Sequence, residues 1–248
     1  MKMKTKTLVL SITTLLFGIL FSACSKDDTP SMSINKSEIT LTRNQDESII
    51  VTPNASGCLF DSDNILIASV STGGKVTGIT VGTTFITVTN SLQGFTAKCK
   101  VAVDPVYNTL KEPYLDFGAL KSKVKTNETR TLVSETSTGL IYEGENSNIN
   151  YIIYLFDSLG NMTGAGVIFP ISKMDTIVNF LAERYVPIGY DDGFGIFMSN
   201  DEKMIVGITE YNTSYIMAVY TEKSTTKSSE SAIENQMVDL VSNFFNRN

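Results

Sequence analysis

Histidine is absent from all 248 residues, and so is tryptophan. Without imidazole there is no Ser-His-Asp triad, no Cys-His pair and no nitrogen ligand for a metal. Zinc would have to be held by carboxylates and at most two cysteines, an improbable donor set. Hydrolysis by paired carboxylates, lysine chemistry and calcium-assisted chemistry stay open. The missing indole removes a common sugar-binding platform and leaves 10 Tyr and 13 Phe for any such role. No CxxC, glycine-rich phosphate loop or nucleophile elbow occurs, so no cofactor is expected. Cations are also short: 20 Lys and Arg against 26 Asp and Glu give a net charge of −6. An acidic chain has no electrostatic case for nucleic acid or anionic headgroups.

What is present begins at the N-terminus. Lys2, Lys4 and Lys6 precede an apolar stretch over residues 8–20, and Phe21-Ser22-Ala23-Cys24 then places small side chains directly before a cysteine. A basic start, a short apolar run and small residues at the cleavage point are the physical requirements of an export signal. The run is too short, and too closely followed by Lys26-Asp27-Asp28, for a permanent membrane span. The segment resembles a bacterial lipoprotein signal with its lipobox. The resemblance implies cleavage before Cys24 and lipidation of that residue, and acyl chains at about 0.8 kcal/mol per buried methylene hold a protein on a membrane. Removing residues 1–23 takes away three lysines and no acids, moving the charge from −6 to −9. The polar run 24–31 reads as a tether, and its Ser-Lys-Asp-Asp resembles a surface-export signal. The expected location is the outer membrane, either surface-exposed or facing the periplasm.

From residue 32 the pattern becomes alternating and β-branched, with short runs separated by turn residues, which predicts an all-β sandwich. Asp61-Ser62-Asp63-Asn64, Ile67-Ala68-Ser69-Val70, Gly74-Lys75-Val76-Thr77-Gly78-Ile79 and Val81-Gly82-Thr83-Thr84-Phe85-Ile86-Thr87-Val88 follow in order. Together with Ala97-Lys98-Cys99-Lys100-Val101 they resemble the bacterial Ig-like domain of group 2, a spacer module of surface proteins, over residues 32–104. Phe60 stands where that family often carries a core tryptophan. Outside the cytoplasm a Cys58–Cys99 disulfide is chemically allowed, and two buried thiols are the alternative.

Residues 105–221 predict an α+β domain with an antiparallel sheet, so the expected fold class is multi-domain, an Ig-like sandwich followed by this second domain. A short helix over 117–124 precedes four strand candidates. A stronger helix over 173–185, with Ser172 as N-cap and Met174, Ile177, Val178 and Leu181 on one face, precedes the remaining strands. Helix then strands, twice, resembles the tandem modules of β-lactamase-inhibitor-like lipoproteins. Glu112-Pro113-Tyr114-Leu115-Asp116-Phe117-Gly118 and Phe180-Leu181-Ala182-Glu183-Arg184-Tyr185 also resemble an uncharacterised domain that follows Ig-like modules. Residues 222–248 form a Ser/Thr/Lys-rich linker and a C-terminal amphipathic helix, which either docks on the second domain or meets a partner.

Few side chains suggest chemistry. Asp61-Ser62-Asp63-Asn64 begins like a calcium loop, but Leu66 and Thr72 occupy the positions where an EF-hand needs Gly and Glu, so a turn is expected and no metal. Tyr190, Asp191, Asp192 and Phe194 sit in a Gly-rich stretch. They read either as a ligand-binding cluster for a sugar or cation, half of a glycosidase pair included, or as an exposed hairpin. Tyr142, Tyr151, Tyr154, Tyr185, Tyr190, Tyr211, Tyr215 and Tyr220 either line a binding face or serve cross-strand pairing. The function expected is non-enzymatic binding or adhesion, with a membrane attachment through the lipid and a glycan or surface protein as ligand. A periplasmic inhibitor or assembly factor is the alternative, and a carboxylate-based glycoside hydrolase comes last.

Overall fold

The computed structural model describes residues 31–191, 194–223, 235, 238 and 239. Cys24 and the rest of the expected signal lie outside these residues.

Nine strands build the N-terminal part: β1 (Ser33–Ile34), β2 (Glu38–Leu41), β3 (Asp46–Ser48), β4 (Val51–Thr52), β5 (Leu59–Ser62), β6 (Ala68–Val70), β7 (Lys75–Gly78), β8 (Gly82–Asn90) and β9 (Phe95–Val103). A sheet ordered β2-β9-β8-β5 faces a sheet ordered β3-β7-β6, with β1 and β4 paired separately. The alternation that predicted strands also decides what is buried. Ile86 and Val88 on β8 and Cys99, Val101 and Val103 on β9 point inward, against Ala68 and Val76 of the opposing sheet and Ile39 and Leu41 of β2. Phe60 packs against this core. Strand β2 runs parallel to β9, in register from Glu38 opposite Lys100 to Leu41 opposite Val103.

The remainder is α1 (Lys121–Asn127), β10 (Leu132–Glu135), β11 (Gly139–Glu143), β12 (Tyr151–Phe156), β13 (Met162–Pro170), α2 (Met174–Arg184), β14 (Val186–Asp191), β15 (Phe194–Met198), β16 (Met204–Asn212) and β17 (Tyr215–Glu222). The strands form one antiparallel sheet ordered β10-β11-β12-β13-β17-β16-β15-β14. Two units of one helix and four strands therefore meet at the β13–β17 pair, related by an approximate two-fold. The first strand of each unit, β10 or β14, forms an edge. Both helices cover one face, where Val124, Ile177, Phe180 and Leu181 pack on Tyr154, Val167, Phe169 and Ala218. The other face buries Ile153, Leu155, Ile168, Met217 and Val219, with Val238 of the C-terminal segment among the side chains packed there.

The expected fold class is corrected by this arrangement. The described chain is predominantly strand, a distinct α+β domain is not evident, and the described residues from 32 onward make one compact unit. Two physical reasons stand out. The helices, of 7 and 11 residues, are only a cover for the eight-stranded sheet. The connection that was read as a domain boundary is also held fast, because the Glu183 carboxylate, only 2% exposed as a residue, accepts the backbone N–H groups of Val106 and Tyr107 at 2.9 Å each. The Glu183 main-chain oxygen accepts from Val81 N–H at 2.6 Å. Asn64 Nδ2 donates to the Asn200 carbonyl at 3.0 Å, and Asn200 Nδ2 to the Val81 carbonyl at 3.2 Å.

Two local expectations also change. Helix α2 begins at Met174 after a 3-10 turn over Ile171–Lys173, so Ser172 lies within that turn and Lys173 takes the cap position without a side-chain bond. The buried face is Ile177, Phe180 and Leu181, whereas Met174 and Val178 only flank the core.

Candidate binding cleft

The residues singled out from sequence separate in space. Cys58 and Cys99 are both free, Cys58 half-buried and Cys99 buried. Their positions explain it. Cys99 lies on β9 opposite Ile86 of β8, while Cys58 precedes β5 on the far side of β8, level with the end of the ladder where Leu59 meets Thr89. Two strand spacings separate them laterally, roughly 9.5 Å, with a further offset along the strands. A disulfide needs Cα atoms about 4.4–6.8 Å apart. Burial pushes the Cys99 thiol above its ordinary pKa, which keeps it protonated and unreactive.

The tyrosines do not share a face. Tyr142, Tyr154, Tyr185 and Tyr220 are buried beneath the helices, and Tyr151, Tyr211 and Tyr215 pack on the opposite side of the sheet. Tyr190 alone of the eight is largely solvent-exposed, at 82%. It belongs to the β14–β15 hairpin, where Asp191 pairs with Phe194. Asp192 lies outside the described residues, as do the side chains of Asp191 and Phe194.

Tyr190 does rim a cleft of about 230 Å³ between α2 and the β14 edge of the sheet. On α2, the wall is a row at i, i+4 and i+8: Met174, Val178 and Ala182. Phe197 and Ile208 supply apolar surface from β15 and β16, and Pro187 and Gly189 join Tyr190 on the edge strand. The register opens the space. Tyr190 stands opposite Gly195, which offers no side chain to fill the gap. A Cβ at Gly195 would come within 3.0 Å of the Phe197 ring, so that ring lies close over the glycine backbone. Among the described residues the lining carries no charged side chain, and the Tyr190 hydroxyl is its only side-chain polar group. An apolar recess with one polar group at its rim suits a ligand that buries hydrocarbon. Sequence reasoning reached Tyr190 but missed the α2 wall, because Met174 and Val178 had been assigned to the core face.

No protein-family model matches the chain, and no curated protein does. Among solved structures, the chain is similar to domains 5–6 of the S-layer protein SbsC at 14% identity and a TM-score of 0.25, covering 79% of this chain and 85% of that one. Domains 4 and 5 of the same protein give 15% identity and a TM-score of 0.23, covering 79% and 86%. At these TM-scores the likeness decides neither fold nor role.

The buried ionisable groups among the described residues lie away from the cleft lining, and the carboxylates and Arg130 among them are tied down. Arg130, its side chain 4% exposed, pairs with Glu128 at 2.8 Å and Glu145 at 2.7 Å and donates to the Lys111 carbonyl. Tyr154 donates to Glu128 at 2.5 Å and accepts from Tyr114 N–H at 2.8 Å, so this network fixes residues 111–114 against the sheet. Glu112 accepts from the Tyr185 hydroxyl, and burial raises its pKa against the opposing pull of that bond. Burial also raises Tyr185 and Tyr220. The Tyr220 hydroxyl is buried and meets no hydrogen-bonding partner among the described residues. Among those residues no group of three or more carboxylate or thiol side chains is placed to hold a metal.

Proposed function

We propose that the chain is a lipid-anchored, non-enzymatic binding protein of the cell surface. The N-terminal sandwich acts as a spacer, and the eight-stranded sheet carries the recognition site at its β14 edge. The observation that supports this most directly is the apolar cleft beside the exposed Tyr190, which offers surface for capture and no acid or base in its described lining. Surface-displayed binding also agrees with the lipobox ending at Cys24 and the acidic tether behind it. In the same reading the sandwich is an Ig-like module whose own strands need no ligand.

Two measurements test it together. Metabolic labelling with a palmitate analogue should tag the wild type and not Cys24→Ser. Protease added to intact cells should digest the eight-stranded part while a periplasmic control protein survives. Protection until the outer membrane is broken would overturn the surface reading and favour a periplasmic inhibitor or assembly role.

A further inference from the structure

The two helix-and-strand units treat the space between helix and edge strand differently, and the difference identifies what the open one takes. In the first unit, Lys121 and Lys125 lie one turn apart on α1 and reach toward the edge. Lys121 Nζ donates to the carbonyls of Thr136 and Ser137 at 2.6 and 2.8 Å, and Lys125 Nζ pairs with Glu135 of β10 at 2.7 Å. Those bonds bridge the helix to the β10–β11 hairpin. In the second unit the helix row is Met174, Val178 and Ala182, the edge strand answers with Pro187 and Tyr190, and the gap stays open.

We infer that this second gap is a slot for one unbranched alkyl chain, the tail of a single-chain amphiphile taken from solution. This rests on the binding role proposed above and names its ligand class. The row from Met174 to Ala182 spans eight residues, about 12 Å at the helical rise. An extended chain advances about 1.2 Å per bond, since three bonds cover 3.3–3.6 Å, so the row matches about ten bonds. The volume of 230 Å³ exceeds the roughly 150 Å³ of an engineered apolar cavity that holds benzene, and it has the elongated wall a chain needs. The described lining carries no charged group to hold a charged ligand end inside, and such an end sits at the rim, where the Tyr190 hydroxyl can bond it.

The test is a titration of the full chain, methyl-labelled at methionine, with 1-octanol, 1-decanol and 1-dodecanol, followed by the Met174 methyl resonance. A saturable shift is expected, with affinity rising roughly fourfold per added methylene up to decanol and levelling at dodecanol, where further carbons leave the slot. Ala182→Phe, which fills the wall, should weaken decanol binding at least tenfold while the thermal midpoint holds. Gly189→Ala, whose added Cβ meets nothing within 4 Å, serves as the fold-preserving second variant and should weaken binding less. Absence of a saturable shift, affinity that climbs unbroken past decanol, or undiminished binding by Ala182→Phe would overturn the slot. A Met174 shift seen only with phosphatidylcholine vesicles would overturn the source. Because these readings use purified protein, they fail independently of the surface-display test.

Discussion

Glu183 gives the sharpest prediction, because one buried side chain ties the connection between the sandwich and the sheet. Its carboxylate accepts two successive backbone N–H groups, from Val106 and Tyr107, and pairs with the Arg184 guanidinium at 2.5 Å. Glu183→Ala removes all three contacts and leaves the main-chain bond to Val81 in place. A hydrogen bond to a charged group contributes about 1.5–3 kcal/mol. The side chains of Val106 and Tyr107 are exposed, so water can take over part of the lost bonding. The net loss should be about 3 kcal/mol. For a chain of this size that is a fall of roughly 6–12 °C in the thermal midpoint. Glu183→Gln keeps one acceptor and should lose about half as much. Calorimetry gives the midpoint, and amide exchange at Val106 and Tyr107 gives the location. The two amides should lose protection in Glu183→Ala while those of β12 and β13 keep theirs. A shift under about 1 °C with both amides still protected would refute the clamp.

Three further outcomes follow from buried groups. Arg130→Ala should cost about 3–5 kcal/mol by stranding Glu128 and Glu145, and Arg130→Lys should recover only part, since a single ammonium cannot reproduce the fork that also reaches Lys111. Chemical denaturation checks both, and equal stability of wild type and Arg130→Ala would contradict the network. Tyr220→Phe should be neutral or stabilising by up to about 2 kcal/mol, because it removes a buried hydroxyl without a partner; a loss above 1 kcal/mol would show that the hydroxyl is bonded. Burial raises the folded-state pKa of Glu112 above its ordinary 4.5, so the folded protein holds that proton more tightly than the unfolded chain. The stability it contributes is full below pH 4.5 and drains away as pH rises through the folded value. Glu112→Gln should therefore gain on the wild type as pH rises from 4.5, and parallel stability curves would exclude this.

Much of the strand pattern was legible because burial on one face writes a two-residue period into the chain. The alternating runs read from residue 32 onward include β8 and β9, the long central ladder of the sandwich. The helix-then-strands order over 117–220 was visible for the same reason. What sequence could not show was contact across long separations. Glu183 stands beside Arg184 in sequence, and only the packing brings it under Val106, 77 positions away. The boundary expected at residue 105 is where the Ig-like resemblance ends. The cleft was half legible: Tyr190 stood out beside glycines, whereas the α2 row was misassigned because Met174 and Val178 share a helical spacing with the core residues Ile177 and Leu181. The exposed Tyr had seven buried or packed counterparts, which composition alone could not separate.

The parallel pairing of β2 with β9 has a mechanical meaning. After the two-residue β1 the chain runs into β2, and it leaves the sandwich at the end of β9; β2 and β9 lie side by side in the same direction. Tension between the N-terminus and the eight-stranded part pulls the start of one strand against the finish of the other. The bonds from Glu38 opposite Lys100 to Leu41 opposite Val103 are then loaded in shear, all at once, instead of being peeled one by one. The Lys100–Glu38 ion pair at 2.8 Å and the bond from Asp104 N–H to the Leu41 carbonyl close the two ends of that patch. A sandwich wired in this way resists unfolding under a pull along that line.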